Sequence, residues 1–336
     1  AGLFGLGSAA VPDNILQIIG YLLPTDKAVF RLELKTSSGT ALSNIPVTGG
    51  TPIPGGSNIT DEDGIVTLLA DRETTFSIPN YVDIRSNSVR ITATKPYEQH
   101  RLNFELLAEG EIVRYTASDV VQFLKVTTVD ICLVGGGGGG GGTYGGTGTF
   151  CGGGGAGGDI QNHFGLPVLN NVDYPLTVGV GGKYSDSESV GGKGGDTIFL
   201  DKTASGGNGG TLGNSREPNG PGGSGTFKGG AGDKDGQGNP GVSNNNISEF
   251  NDGTTFYSGG GGGGSKYNTT VSVGGKPNGA SGAMAQTGSG NESIDAGVAG
   301  IGGGGGGGSK RETSSAAYTA SGSKGGNGLI SIKLHY

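Results

Sequence analysis

The chain has 336 residues, with 22 basic and 29 acidic side chains, 77 glycines and two cysteines. This mildly acidic balance, without any block of lysine or arginine, offers phosphate backbones no footprint and sets nucleic acid aside as a partner. Cys132 and Cys151 are too few for a disulfide scaffold and stand in no metal-ligand spacing, so both read as free thiols.

Residues 1–24 begin as a loose glycine-rich leader, followed by Pro12-Asp13-Asn14 and then Ile15, Leu16, Ile18, Ile19, Leu22 and Leu23. A proline early in the segment and apolar residues three and four apart predict a short amphipathic helix ending before Pro24. Its apolar face needs a cover, either the next domain of the same chain or an assembly partner. Those six residues are the candidate assembly anchor. Polar and helix-breaking residues interrupt the segment, so no apolar stretch of about 18 residues is present. There is no basic leader or small-residue cleavage site, and the expectation is synthesis in a cytoplasm with the initiator methionine removed.

From 25 to 107 the pattern turns to alternating strands around Val29–Leu34, Ile65–Leu68, Val89–Ala93 and Leu102–Leu106, separated by turn residues. That spacing predicts a small β-sandwich. The sequence Thr60-Asp61-Glu62-Asp63-Gly64-Ile65-Val66, preceded by Ile45-Pro46-Val47, resembles the transthyretin-like, or Cna-B-like, modules of bacterial and phage surface proteins. The resemblance implies a spacer, with Asp61, Glu62 and Asp63 as solvated turn residues rather than a calcium site. Residues 108–121 read as a connector.

The remainder, 122–336, is dominated by glycine: 66 of the 77 lie after Val134, in runs such as 135–142, 152–155, 259–264 and 302–308. Flexible linkers interleave serine, whereas these runs are nearly pure glycine and alternate with apolar strands. The strand Gln122–Val134 runs straight into Gly135, and the same strand-and-glycine order recurs at Leu176–Gly182, at Val271–Gly275 and, reversed, at Gly325–Leu334. Extended three-fold helices of the polyproline II type, packed side by side, would order such runs, because glycine keeps its N–H and lacks a Cβ. At about 3.1 Å per residue an eight-glycine run would span roughly 25 Å.

The order Val129-Asp130-Ile131-Cys132-Leu133-Val134 then glycine, Tyr174-Pro175-Leu176-Thr177-Val178-Gly179-Val180, Gly194-Gly195-Asp196-Thr197-Ile198-Phe199-Leu200, and the closing Gly328-Leu329-Ile330-Ser331-Ile332-Lys333-Leu334 resembles the glycine-rich domain of bacteriophage tail fibres and adhesins. It is also similar to the glycine-rich ectodomain of anaplastic lymphoma kinase receptors, a reading opposed by the absence of a kinase motif and of a transmembrane segment. The phage resemblance implies an all-β chain: a small N-terminal β-sandwich, then a jelly-roll-like sandwich over 122–336 carrying a polyglycine II helix bundle. It implies a virion location and a role in host cell-surface recognition and attachment. Expected partners are other virion proteins and a protein or glycan receptor, with a homotrimer as a candidate assembly. The alternative is a structural virion component without direct receptor binding.

No catalytic constellation emerges. His100, His163 and His335 lie far apart and accompany no nucleophile, glycine-rich dinucleotide motifs are trivial in this composition, and Asp233-Lys234-Asp235 lacks the rest of a calcium loop. The expectation is a non-enzyme with no cofactor and no metal. Binding then falls to aromatics at the ends of the glycine runs: Tyr144, Phe150, Phe250, Phe256, Tyr257, Tyr267 and Tyr318 are the candidate receptor contacts. The competing role for each ring is to cap a bundle that has no side chains of its own.

Overall fold

The computed structural model describes residues 13–185, 189–266, 269–285, 293–314 and 316–336. The chain is nearly all β. Its α-helix, Asp13–Tyr21, lies where the apolar spacing predicts it. Leu16 is fully buried against Val29 and Ile53, and Ile19 and Leu23 pack beside it. Gly20 lets the helix approach the neighbouring backbone, since a Cβ there would sit 2.5 Å from the Pro96 carbonyl oxygen. The chain's own first sheet therefore covers half of the candidate anchor, while Ile15, Ile18 and Leu22 face outward. Leu16→Ala is expected to lose about 3 kcal/mol in urea unfolding, and Ile18→Ala no more than about 0.5. Equal losses would mean that the helix is buried on both faces.

That first sheet has the order Thr51–Pro52, Ile65–Asp71, Lys27–Thr36, Tyr97–Phe104. Alternation along Lys27–Thr36 turns Phe30, Leu32 and Leu34 inward and leaves Val29 for the helix. Opposite lies the hairpin of Glu73–Ser77 and Ser88–Thr92, whose Phe76 meets Phe30 edge-on with ring centroids 5.1 Å apart. The loop before Ile65 is a plain turn: the Asp61 carboxylate accepts the N–H groups of Asp63 (3.0 Å) and Ile65 (2.8 Å).

A second sandwich follows. One layer is antiparallel in the order Ile160–Pro167, Thr128–Val134, Leu329–His335, Ile112–Tyr115. The other contains Asp119–Val121 paired with Tyr174–Leu176, and the hairpin Thr197–Phe199 with Lys202–Ala204. Val129, Ile131 and Leu133 point between the layers, and Cys132 and Val134 point to the opposite face, where Phe227 and Tyr257 cover them. Burial on both faces explains why this strand reads as continuously apolar. Residues 108–121 are not a connector: they supply one strand to each layer. The two units join through buried Asp83, whose carboxylate accepts the N–H groups of Leu124 (2.9 Å) and Lys125 (2.7 Å).

The glycine segments leave one end of this sandwich. In the run 135–142, which is buried throughout, hydrogen bonding repeats every three residues. Gly136 and Gly139 donate to Gly195 and Gly192, Gly137 and Gly140 to Gly326 and Ser323, and Gly138 and Gly141 to Ala156 and Gly153. The same pairs accept in turn from Gly207 and Gly210, Gly182 and Ser185, and Gly305 and Gly308. One run is thus bonded to three antiparallel neighbours as donor and to three parallel neighbours as acceptor. A Cβ on Gly137 or Gly140 would lie 1.9 Å from a carbonyl oxygen of Gly303 or Gly306. The glycine hydrogen in that direction instead points at the oxygen, adding a Cα–H···O contact to each conventional bond. With the backbone groups paired laterally, the region is ordered without a side-chain core.

Candidate binding tip and bundle base

Because each segment starts or ends at the sandwich, its turns fall at two ends, and these divide the candidate aromatics. At the far end, Thr143–Tyr144 pairs with Gly213–Asn214, and Gly148–Cys151, Ser309–Glu312 and Ala317–Ala320 form a three-stranded sheet. This small sheet is not apparent from sequence, because Ser309-Lys310-Arg311-Glu312 shows no apolar alternation. Tyr144 stands out from it, 51% exposed. Phe150 is 5% exposed, its ring lying over Gly145, where a Cβ would come within 2.5 Å of Cζ. Tyr318 is half-buried on its strand, opposite Arg311. Lys310 donates to the Gly145 carbonyl (3.0 Å) and pairs with Glu312 (2.7 Å). Tyr267 lies outside the described residues.

Phe250, Phe256 and Tyr257 are at the other end, against the sandwich. Tyr257 is 8% exposed and packs with Cys132, Val134 and Leu329, and Phe250 is half-buried against the same cluster. Phe250 takes a left-handed backbone (φ 50°) while its N–H donates to Asn162 Oδ1 (3.1 Å). Glu249, 1% exposed, receives a bidentate pair from Arg114, Nε to Oε1 at 3.0 Å and Nη2 to Oε2 at 2.7 Å. Hydrogen bonding to that carboxylate raises the guanidinium pKa further. Burial, then the Glu249 charge, raises the Tyr257 phenol. The expectation that Phe150 and Tyr257 offer their rings to a receptor is corrected: both are seated inside the chain as plugs. Sequence reasoning missed the Arg114–Glu249 clamp, whose partners are 135 residues apart.

Cys132 and Cys151 are buried free thiols, Cys151 within hydrogen-bond reach of the Ser309 hydroxyl (3.8 Å), and desolvation pushes each thiol up to about 12. Asp233 closes a turn by accepting the Asp235 N–H (2.8 Å). Among the described residues no three His, Cys, Asp or Glu side chains converge as metal ligands, and no helix is long and apolar enough to cross a membrane. A family model described as a glycine-rich domain matches residues 116–335, and no curated protein matches the chain.

Proposed function

The chain belongs to the glycine-rich domain family, and from that premise we propose that it is a phage tail-fibre or tail-tip protein that attaches to the host cell surface. In this reading the glycine segments are a bundle of polyglycine II helices, the N-terminal sandwich is a spacer of the transthyretin-like kind, and the helix face bearing Ile15, Ile18 and Leu22 docks onto another virion protein. The protein performs no catalysis. The observation that carries the reading is the three-residue hydrogen-bond period around 135–142: it makes a stiff support whose far loops can vary without disturbing the interior.

The contact residue best placed for recognition is Tyr144, with Tyr318 on the three-stranded sheet of the same tip. Tyr144→Ala is expected to lower adsorption of particles to host cells at least about tenfold while changing stability by no more than about 0.5 kcal/mol. Normal adsorption by this variant would remove Tyr144 from the contact. A second reading, a structural virion component with no receptor, is favoured by the burial of Phe150 and Tyr257. It predicts that particles carrying tip variants adsorb as the parent does but lose integrity on heating.

A further inference from the structure

The first sheet has one open edge. Tyr97–Phe104 pairs in parallel with Lys27–Thr36 along its whole length, and among the described residues no strand lies on its other side. Val29 donates to the Pro96 carbonyl (2.8 Å) and Ser37 to the Phe104 carbonyl (3.1 Å), so the even-numbered residues bond inward. The N–H and C=O groups of Tyr97, Gln99, Arg101 and Asn103 point outward, and none has a partner among the described residues. The opposite edge of the sheet, Thr51–Pro52, is two residues long and ends in proline. In the second sandwich the edge strand Ile160–Pro167 is broken by a bulge between His163 and Leu166. Short strands, prolines and bulges all blunt an edge against pairing. Tyr97–Phe104 has none of these.

Charge is the remaining way to blunt an edge, and the charges of this strand suit a second copy of itself. Outward bonding by the odd-numbered residues requires that odd face odd in an antiparallel pair. With Gln99 opposite the partner's Gln99 on a two-fold axis, Tyr97 and the partner's Arg101 exchange two backbone bonds, as do the two glutamines and the second Arg101–Tyr97 pair. Between them Glu98 stands opposite the partner's His100, and His100 opposite the partner's Glu98, at the positions where side chains come closest. Glu98 is already held: it accepts the N–H groups of Thr94 (2.6 Å) and Lys95 (2.8 Å) and faces His100 Nε2 (2.9 Å). His100 Nδ1 has no partner among the described residues. Arg101 is steadied by Glu33 (2.8 Å), which sets its cation beside the partner's Tyr97 ring. A shift of two residues either way, the smallest that keeps the bonding pattern, would set Glu98 against Glu98 or His100 against His100.

We propose that the chain forms a two-fold dimer in which Tyr97–Phe104 pairs antiparallel with the same strand of a second copy. The two four-stranded sheets then become one continuous sheet. A dimer of this kind is not the homotrimer that the phage resemblance implies, because a three-fold axis cannot set two copies of one strand antiparallel. Pairing uses the N-terminal sandwich alone and does not depend on the attachment reading.

Sedimentation equilibrium and amide exchange of the purified full chain provide the test. A reversible monomer–dimer equilibrium is expected, with the Tyr97, Gln99 and Arg101 amides gaining protection as concentration rises. In a mixture of labelled and unlabelled chain, the Hα of Glu98 should show a magnetic contact to the Hα of the other copy's His100, which only this register gives. Gln99→Lys and Gln99→Glu each place like charges on the two-fold axis and should weaken self-association about fivefold, whereas the two variants mixed should pair at least as well as the parent. Gln99→Pro removes an outward N–H without touching a bond to Lys27–Thr36 and should abolish association. Should that variant fail to fold, the two charge variants decide the matter. A chain that stays monomeric up to about 1 mM, a trimer, protection confined to other residues, a contact in another register, or charge variants that neither weaken alone nor recover together would each overturn the proposal. So would edge amides protected in a monomer, since another part of the same chain would then cover the edge.

Discussion

Gly305→Val is expected to destabilise the glycine region by on the order of 4 kcal/mol or more, enough to unfold much of it. Gly305 donates to the Gly138 carbonyl (2.8 Å) and accepts from the Gly155 N–H (2.7 Å), so two neighbours hold it from different sides. A Cβ would lie 1.9 Å from the Ser323 carbonyl oxygen, and backbone cannot swing aside as the end of a side chain can. The matched control is Gly146→Ala at the tip, where nothing lies within 4 Å of the added carbon. That change should be neutral or slightly stabilising, because alanine has less freedom to lose on folding. Thermal melting and amide exchange of both variants decide the matter. Parent-like melting and protection in Gly305→Val would show that the segments are not packed at this spacing.

Arg114→Met is expected to cost about 3 kcal/mol or more, because it leaves the Glu249 carboxylate buried without its partner. The arginine side chain is 44% exposed and that of Glu249 only 1%, so most of the loss comes from the stranded acid rather than from attraction across the pair. Arg114→Met combined with Glu249→Met should therefore recover much of the loss, and denaturant unfolding of the three variants measures the coupling. Additive losses would show that the two side chains do not act as a clamp. Amide exchange around Ser248 and Tyr257 should rise in the single variant, since Glu249 holds that loop against the strand Ile112–Tyr115.

The strands that lead into glycine were readable because their residues face apolar layers on both sides: Val129–Val134 and Leu329–Leu334 carry their burial in their composition. Ile112–Tyr115 and Asp119–Val121 were read as connector because they are short and half-covered, with charged residues among them, and only their pairing with distant strands makes them part of the sandwich. The helix was visible in the spacing of Ile15 to Leu23, but which side faces the sheet depends on Val29 and Ile53. The sequence shows aromatic rings at the ends of glycine runs but not their exposure, which follows the turn each run makes, so Tyr144 and Phe150, six residues apart, have opposite surroundings.

The strand that enters the bundle, Thr128–Val134, and the strand that returns from it, Leu329–His335, are direct antiparallel neighbours. Tension applied at the tip and resisted at the sandwich therefore runs along the glycine segments and at right angles to their lateral bonds. Bonds loaded in this shear geometry share the force and yield together, whereas pulling the two ends of the chain apart would open the same contacts one after another. The connectivity makes the molecule mechanically anisotropic, strong against traction at its far end and weak against peeling at its base.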